Sequence, residues 1–289
     1  MPTPGLSLVG FLQDQQQALQ HLKFSCVPAP ATKTDADLVA DWQAAKAKLG
    51  APIANAGNPN LTPIAATDPR IAAITAAMLQ SAWGSHFSGI LGIGASFQMV
   101  EIAPLLAYQL SVDTDRSGSH CAQLANPPTE DELYACCLPT KVPTDQIHSS
   151  RQGQSMIIKS RSLNLVTFAE GPLQSPMPTV GLQFWWGIPF VHVVRFGGRC
   201  YLHNGYHRSY GLLQAGATHM PCLFRDVATA EEAGIKADGG TFSQAVLTGP
   251  NPPTIGHFNA ARALTVQMRR AIRILQINWS QHMMFDEPD

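Results

Sequence analysis

The chain is poor in charge. Of its 289 residues only 13% are charged, and 19 Lys and Arg against 20 Asp and Glu leave a net charge of −1. So weak a field gives no general attraction to nucleic acid or anionic lipid, and any nucleic-acid role has to be local. Long hydrophobic runs are also missing. The most apolar stretch, Phe87 to Val100, is cut by Gly89, Gly92 and Gly94 and falls short of the roughly 20 residues that span a bilayer. No Lys or Arg precedes Lys23, and the opening residues lack the charged head and apolar middle of a signal peptide, so the expected compartment is the cytoplasm, with no membrane partner. Six cysteines occur without a Cys-x-x-Cys pair, which removes the zinc knuckle and the thioredoxin motif and leaves reduced thiols as the expectation. The adjacent Cys136 and Cys137 read as small apolar residues on a short helix.

An apolar content of 45% over this length is enough to bury a core without staples. The first third is rich in Ala, Gln and Pro, and its patterns are helical. Thr34-Asp-Ala-Asp37 is an N-cap with an acidic first turn, followed by Leu38, Trp42, Ala45 and Leu49 at three- and four-residue spacing and closed by Gly50. Asp68-Pro69 is a cap with proline at the first helical position. Residues 1–87 are therefore expected to be a helical region, followed over 88–289 by an α/β domain with a C-terminal extension. Phe97 to Ile102 reads as a strand, and Thr129-Glu-Asp-Glu132 as a capping box opening a short helix through Cys137. Alternation predicts strands over Met156–Ile158, Leu163–Phe168 and Gln183–Trp186. Phe190–Phe196 and Arg199–His203, joined by Gly197-Gly198, form a predicted hairpin. Next come Gly205, a helix to about Ala215, and a strand over Met220–Phe224. Arg269 to Trp279 is a basic strand or helix.

Chemistry concentrates at the glycine turn. A helix N-terminus presents unpaired N–H groups and about half a positive charge, so His207 and Arg208 there make an anion the natural guest. Between Glu170 and Asp226 there is no acid, whereas Arg195, Arg199, Arg208 and Arg225 fall in that interval with His192, His203, His207 and His219. Such a stretch suggests a focused positive site, unless acids from elsewhere, such as Glu101, Asp113, Asp115 or Asp131, neutralise it. His203 is read as a structural histidine, and Phe184, Trp185 and Trp186 as core rather than a base-stacking platform.

Tyr201-Leu-His-Asn-Gly-Tyr-His-Arg208, the short helix after it, and His219-Met-Pro221 together resemble the ParB/sulfiredoxin superfamily, whose members set a Gly-x-[His/Arg]-Arg turn between a strand and a helix. The resemblance covers about Phe190 to Arg225 and extends weakly to Val100–Gln109. It implies a small mixed sheet with short helices and a turn that binds nucleotide phosphates, as for CTP in partitioning proteins and ATP in sulfiredoxins. Asn204, Gly205, Tyr206, His207, Arg208 and Ser209 would then line the ligand, helped by Arg195 and Arg199, and the implied cofactor is an NTP with Mg²⁺. Glu101 and His207 are the candidate catalytic groups, Glu101 being otherwise an ion-pair partner for Arg199 or Arg208. No metal ligand set is read from the residues. Tyr206 stands where sulfiredoxins need cysteine, which excludes sulfinic-acid reduction. Ser209 replaces the second arginine that partitioning proteins use on CTP, and Asn204 replaces an acid of the related regulators of DNA sulfur modification. The expectations are, in order, a phosphate- or nucleotide-binding protein, a DNA-associated regulator or nuclease, and an interaction module with a degenerate site.

Overall fold

Side-chain caps set several helix starts in the computed structural model. It describes residues 2–27, 33–141, 148–152, 154–160, 165–173, 179–235, 242–269 and 273–278. Thr34 and Thr129 each close a capping box, with Asp37 and Glu132 respectively, and Asp68 accepts the N–H groups of Arg70 and Ile71 ahead of Pro69. The elements in chain order begin with β1 (Thr3–Ser7), α1 (Gln15–Phe24), β2 (Cys26–Val27), α2 (Asp35–Ala47), β3 (Leu61–Pro63), α3 (Pro69–Leu79) and α4 (Gly84–Gly92). Then come β4 (Ser96–Glu101), β5 (Leu106–Ala107), β6 (Ser111–Asp113), α5 (Thr114–Cys121), α6 (Glu130–Cys137), β7 (His148–Gln152), β8 (Ser155–Ser160), β9 (Leu165–Leu173) and β10 (Thr179–Trp186). The last are β11 (His192–Phe196), β12 (Arg199–Asn204), α7 (Tyr206–Gln214), β13 (His219–Asp226), α8 (Gln244–Thr248), β14 (Leu264–Met268) and β15 (Arg273–Asn278). The protein is thus of the mixed α+β class.

The chain divides into two compact units, one made of residues 1–140 and 189–270, the other of 141–188 and 271–289. In the larger unit a six-stranded sheet runs β3-β4-β13-β11-β12-β5 and a four-stranded sheet runs β2-β14-β1-β6. The smaller unit holds the antiparallel pair β10-β9 and the three-stranded sheet β15-β8-β7. The boundary expected at residue 87 falls inside α4, and residues of the first 87 supply β1, β2 and β3 to the sheets of the larger unit. The opening strand was not foreseen, because Thr3–Ser7 is too short and too rich in Gly and Pro to show alternation. The expected strand from Leu163 begins at Leu165 in the described backbone, residues 161–164 lying outside it. The side chains of Phe184, Trp185 and Trp186 and the residues Arg270 and Trp279 also lie outside the described set.

The hairpin and its sequel are the part that positions the site. Gly197 and Gly198, both at positive φ, turn β11 into the antiparallel β12, and α7 then crosses back so that β13 pairs parallel with β11. Val193 and Val194 of β11 and Cys200, Tyr201 and Leu202 of β12 are all buried, so the hairpin is covered on both faces, and Phe87, Phe97 and Phe190 pack ring to ring with centroids 5.9 to 6.5 Å apart. On the neighbouring strand β5, Ala107 leads into Tyr108, whose ring stacks on Tyr201 at 5.4 Å.

Candidate functional site

Gly205 makes the turn from β12 to α7 at φ +106° and ψ 18°, a left-handed conformation that favours glycine. A Cβ at this position would lie 2.8 Å from Cγ2 of Val191, so the residue is fixed by the close approach of its own chain. The start of α7 carries no side-chain cap and no acid in its first turn.

The residues around that turn divide by direction. Tyr206 points inward, where its hydroxyl accepts the N–H of Tyr108 at 2.8 Å, and burial pushes its phenol up. Ser209 is buried, donating to the Gly205 carbonyl at 3.0 Å with Sδ of Met220 at 3.3 Å. The Asn204 amide donates to the Phe190 carbonyl at 2.9 Å. These three hold the turn together.

Arg208 reaches α6. Its Nη1 donates to the carbonyls of Cys136 and Cys137 at 3.2 and 3.4 Å, and the Cys137 carbonyl also receives the N–H of Val191 at 2.8 Å. The last carbonyls of a helix have no partner within it and carry partial negative charge, so the guanidinium both caps and neutralises this helix end. Burial moves Arg208 below its ordinary value, opposed by the nearby cysteines.

Three expected members of the site lie elsewhere. Arg195 is opposite Asp226 on the parallel neighbour strand and binds it through Nε and Nη2 at 2.6 and 2.9 Å. Of the arginines in the stretch, Arg195 is therefore paired with the acid at its border, and an exposed pair of this kind contributes about 0–1 kcal/mol. Arg199 donates from Nη1 to the carbonyls of Leu247 and Gly249 at 2.8 and 3.4 Å. Glu101, expected as a base or as a partner for Arg199 or Arg208, instead accepts the backbone and amide N–H groups of Asn60 at 3.3 and 3.0 Å. Its strand faces β13 in antiparallel register, with Glu101 opposite His219, and this directs its carboxylate to the loop before β3. Asp131 is likewise committed, lying with Glu130 against Arg70.

His207 takes the remaining direction, towards α5. That helix packs tightly because α7 carries Gly211: a Cβ there would meet Sγ of Cys121 at 2.6 Å and the Ser117 carbonyl at 2.9 Å. The close packing brings Arg116 and His120 into the neighbourhood of His207 and Arg208. His207 is lowered to about 4, first by burial and then by Arg116, with His120 and Arg208 adding to the effect and Asp113 opposing it. Asp113 is already engaged, its two oxygens accepting the Thr3 hydroxyl at 2.8 Å and the Arg116 N–H at 2.9 Å. Of the expected residues, then, His207 and Arg208 leave the start of α7 in different directions, the first to α5 and the second to the end of α6. Arg116 and His120 stand near His207 unforeseen; the available signal was Asp113 as an N-cap before a short polar helix.

Searches against protein-family models, curated proteins and solved structures return no match to this chain.

Proposed function

We propose that the protein binds a phosphate-bearing ligand, a nucleotide in the first place, at the junction of α5 with the start of α7. The observation that carries this reading is that Arg116 and His120 of α5 stand close enough to His207 to act on its charge, beside an Asp113 whose carboxylate is already used, with Arg208 next along α7 but engaged by the end of α6. The uncapped start of α7 adds N–H donors on the same helix. Two charge-assisted hydrogen bonds contribute roughly 1.5–3 kcal/mol each and the helix end about 0.3–1 kcal/mol, which after the cost of ordering the side chains corresponds to millimolar or at best tens-of-micromolar affinity. Among the described residues no three of His, Cys, Asp and Glu are grouped to hold a metal ion, so Mg²⁺ would arrive on the ligand's own phosphates. With Glu101 turned to Asn60, the reading is of binding rather than catalysis.

Titration calorimetry with tripolyphosphate, ATP and CTP tests it. Arg116→Ala is expected to weaken tripolyphosphate about tenfold, the loss of one charge-assisted bond. Absence of heat and of thermal stabilisation with all three compounds would sink the proposal.

Proton linkage gives a second check. His207 is neutral in the free protein down to about pH 4. A bound anion favours the imidazolium and raises that value, so binding takes up a proton and affinity rises as pH falls. With sulfate, whose charge is constant here, affinity is expected to increase several-fold from pH 7.5 to pH 5.5 and His207→Gln to make the increase smaller, His120 remaining beside the site. A pH-independent sulfate affinity in the parent protein contradicts the placement of His207 at the site.

A second reading has its own observation. Arg208 is bound by the end of α6, and Asn204, Tyr206 and Ser209 by other parts of the chain, as in an interaction module whose phosphate site is filled from within. Failure of every anion to bind would favour it.

A further inference from the structure

Of the four arginines in the acid-free stretch, three are engaged within the fold: Arg195 by Asp226, Arg199 by the carbonyls of Leu247 and Gly249, and Arg208 by the end of α6. Arg225 differs from them. It is half-buried on β13 and, among the described residues, has neither a hydrogen bond nor an ion pair. Strand register shows which way it faces. Arg225 is opposite Val194 on β11, Leu223 is opposite His192, and Val194 is in turn opposite Tyr201 of β12. Side chains alternate between the faces of a sheet, so Arg225, His192 and His203 share one face, while Arg195 and Asp226 share the other.

A bulge brings the two histidines together. Leu202 pairs with Val193 and Asn204 with His192, so His203 is passed over as an extra residue of β12, and the two imidazole rings meet with centroids 5.2 Å apart and planes at 73°. Nε2 of His192 is buried there without a partner. An unpaired buried nitrogen costs stability, and that cost is recovered when a ligand supplies the missing bond. Gly234, at φ +80°, lies against the other ring, where a Cβ would meet Cε1 and Nδ1 of His203 at 3.3 Å, and the Ala233 carbonyl before it accepts the Tyr108 hydroxyl. His203 nevertheless stays exposed. We propose that this face binds the carboxylate group of a small organic monoanion, with Arg225 taking both oxygens and the imidazoles of His192 and His203 flanking it as N–H donors.

The class of ligand follows from charge and shape. Burial holds both histidines below their ordinary value, His192 at about 3, and the charge of Arg225 adds to the effect on each. At neutral pH Arg225 therefore carries the one formal charge of the three, which matches a monoanion. Glu232 stands close by with its carboxylate accepting the N–H groups of Ala228 and Thr229 at 3.1 Å, and its charge tells against a phosphate dianion or a polyphosphate. The arginine tells equally against a metal cation, and among the described residues no three of His, Cys, Asp and Glu are grouped to hold one. A guanidinium presents two parallel N–H donors, the spacing of the two oxygens of a carboxylate. Nε2 of His192 is reached when the exposed His203 ring turns, a fast motion for a surface side chain. The site shares no residue with the junction of α5 and α7.

Proton NMR of the full chain tests this, with the imidazole Hε1 signals assigned through His192→Gln and His203→Gln. Replacing sodium chloride by sodium acetate at neutral pH and constant ionic strength is expected to shift both signals saturably, with a midpoint in the millimolar range. Arg225→Gln is expected to weaken acetate about tenfold or more. Arg195→Gln, a change in the same stretch on the opposite face, should leave the midpoint where it was. The titration of the unaltered protein stays decisive if a variant does not fold. Three results overturn the proposal: no saturable shift of the two signals with acetate, a response to inorganic phosphate or zinc chloride at lower concentration than to acetate, or an unchanged midpoint in Arg225→Gln.

Discussion

Gly205→Ala is expected to lower the stability of the larger unit by roughly 2–5 kcal/mol, the greatest effect of any single methyl group around the turn. Two independent costs add. An alanine held at φ +106° forfeits about 1–2 kcal/mol, and its Cβ, 2.8 Å from Cγ2 of Val191, forces an overpacking cost of about 1–3 kcal/mol. Thermal unfolding should show a fall of roughly 5–15 °C for a unit of this size. Gly197→Ala serves as the control, since it shares a positive φ of +56° but has nothing within 4 Å of its Cβ, and about 1 kcal/mol is expected there. Shortening the obstacle in Gly205→Ala/Val191→Ala should make the double variant less unstable than the sum of the two single changes. Strict additivity would mean that Val191 is not what the turn meets.

Arg208→Ala is expected to cost about 2–4 kcal/mol in urea unfolding. The change takes the guanidinium from the carbonyls of Cys136 and Cys137, and hydrogen bonds to a charged group contribute roughly 1.5–3 kcal/mol. It also removes the cation from the negative end of α6, worth up to about 2 kcal/mol in a partly buried setting. Arg208→Lys should recover part of the loss, because a point charge restores the electrostatic contribution without the planar guanidinium that sets Nη1 between the two carbonyls. A change below about 0.5 kcal/mol would show that α6 does not depend on this residue. Loss of anion binding in Arg208→Ala would not by itself locate the ligand, since the variant disturbs α6 as well. Arg116→Ala is the cleaner probe.

What could be read from the sequence was local. The N-cap at Thr34, the capping box at Thr129, the Asp68-Pro69 start, the Gly-Gly hairpin and the glycine turn at Gly205 each depend on residues within a few positions of one another, and each is found as expected, while the full capping box at Thr34 and the left-handed backbone of Gly205 emerge only in the structure. The site was legible only where it rested on such features, which is why His207 and Arg208 were named at the head of α7. The rest depends on partners far away along the chain. Arg208 finds α6 seventy-two positions earlier at Cys136, and Glu101 finds Asn60 forty-one positions earlier. Arg195 looked uncompensated because the parallel pairing that sets it opposite Asp226 leaves no mark on composition.

The four-stranded sheet carries a consequence for synthesis. Strand β1 lies between β6 and β14, pairing Gly5 with Asp113 on one side and with Val266 on the other. Ribosomes add roughly 5–20 residues per second, so β1 waits on the order of ten seconds to a minute for its second neighbour. Through that interval one edge of the strand is open to any passing chain, and a chaperone that masks nascent strand edges would shield the N-terminal residues until Leu264–Met268 has left the exit tunnel.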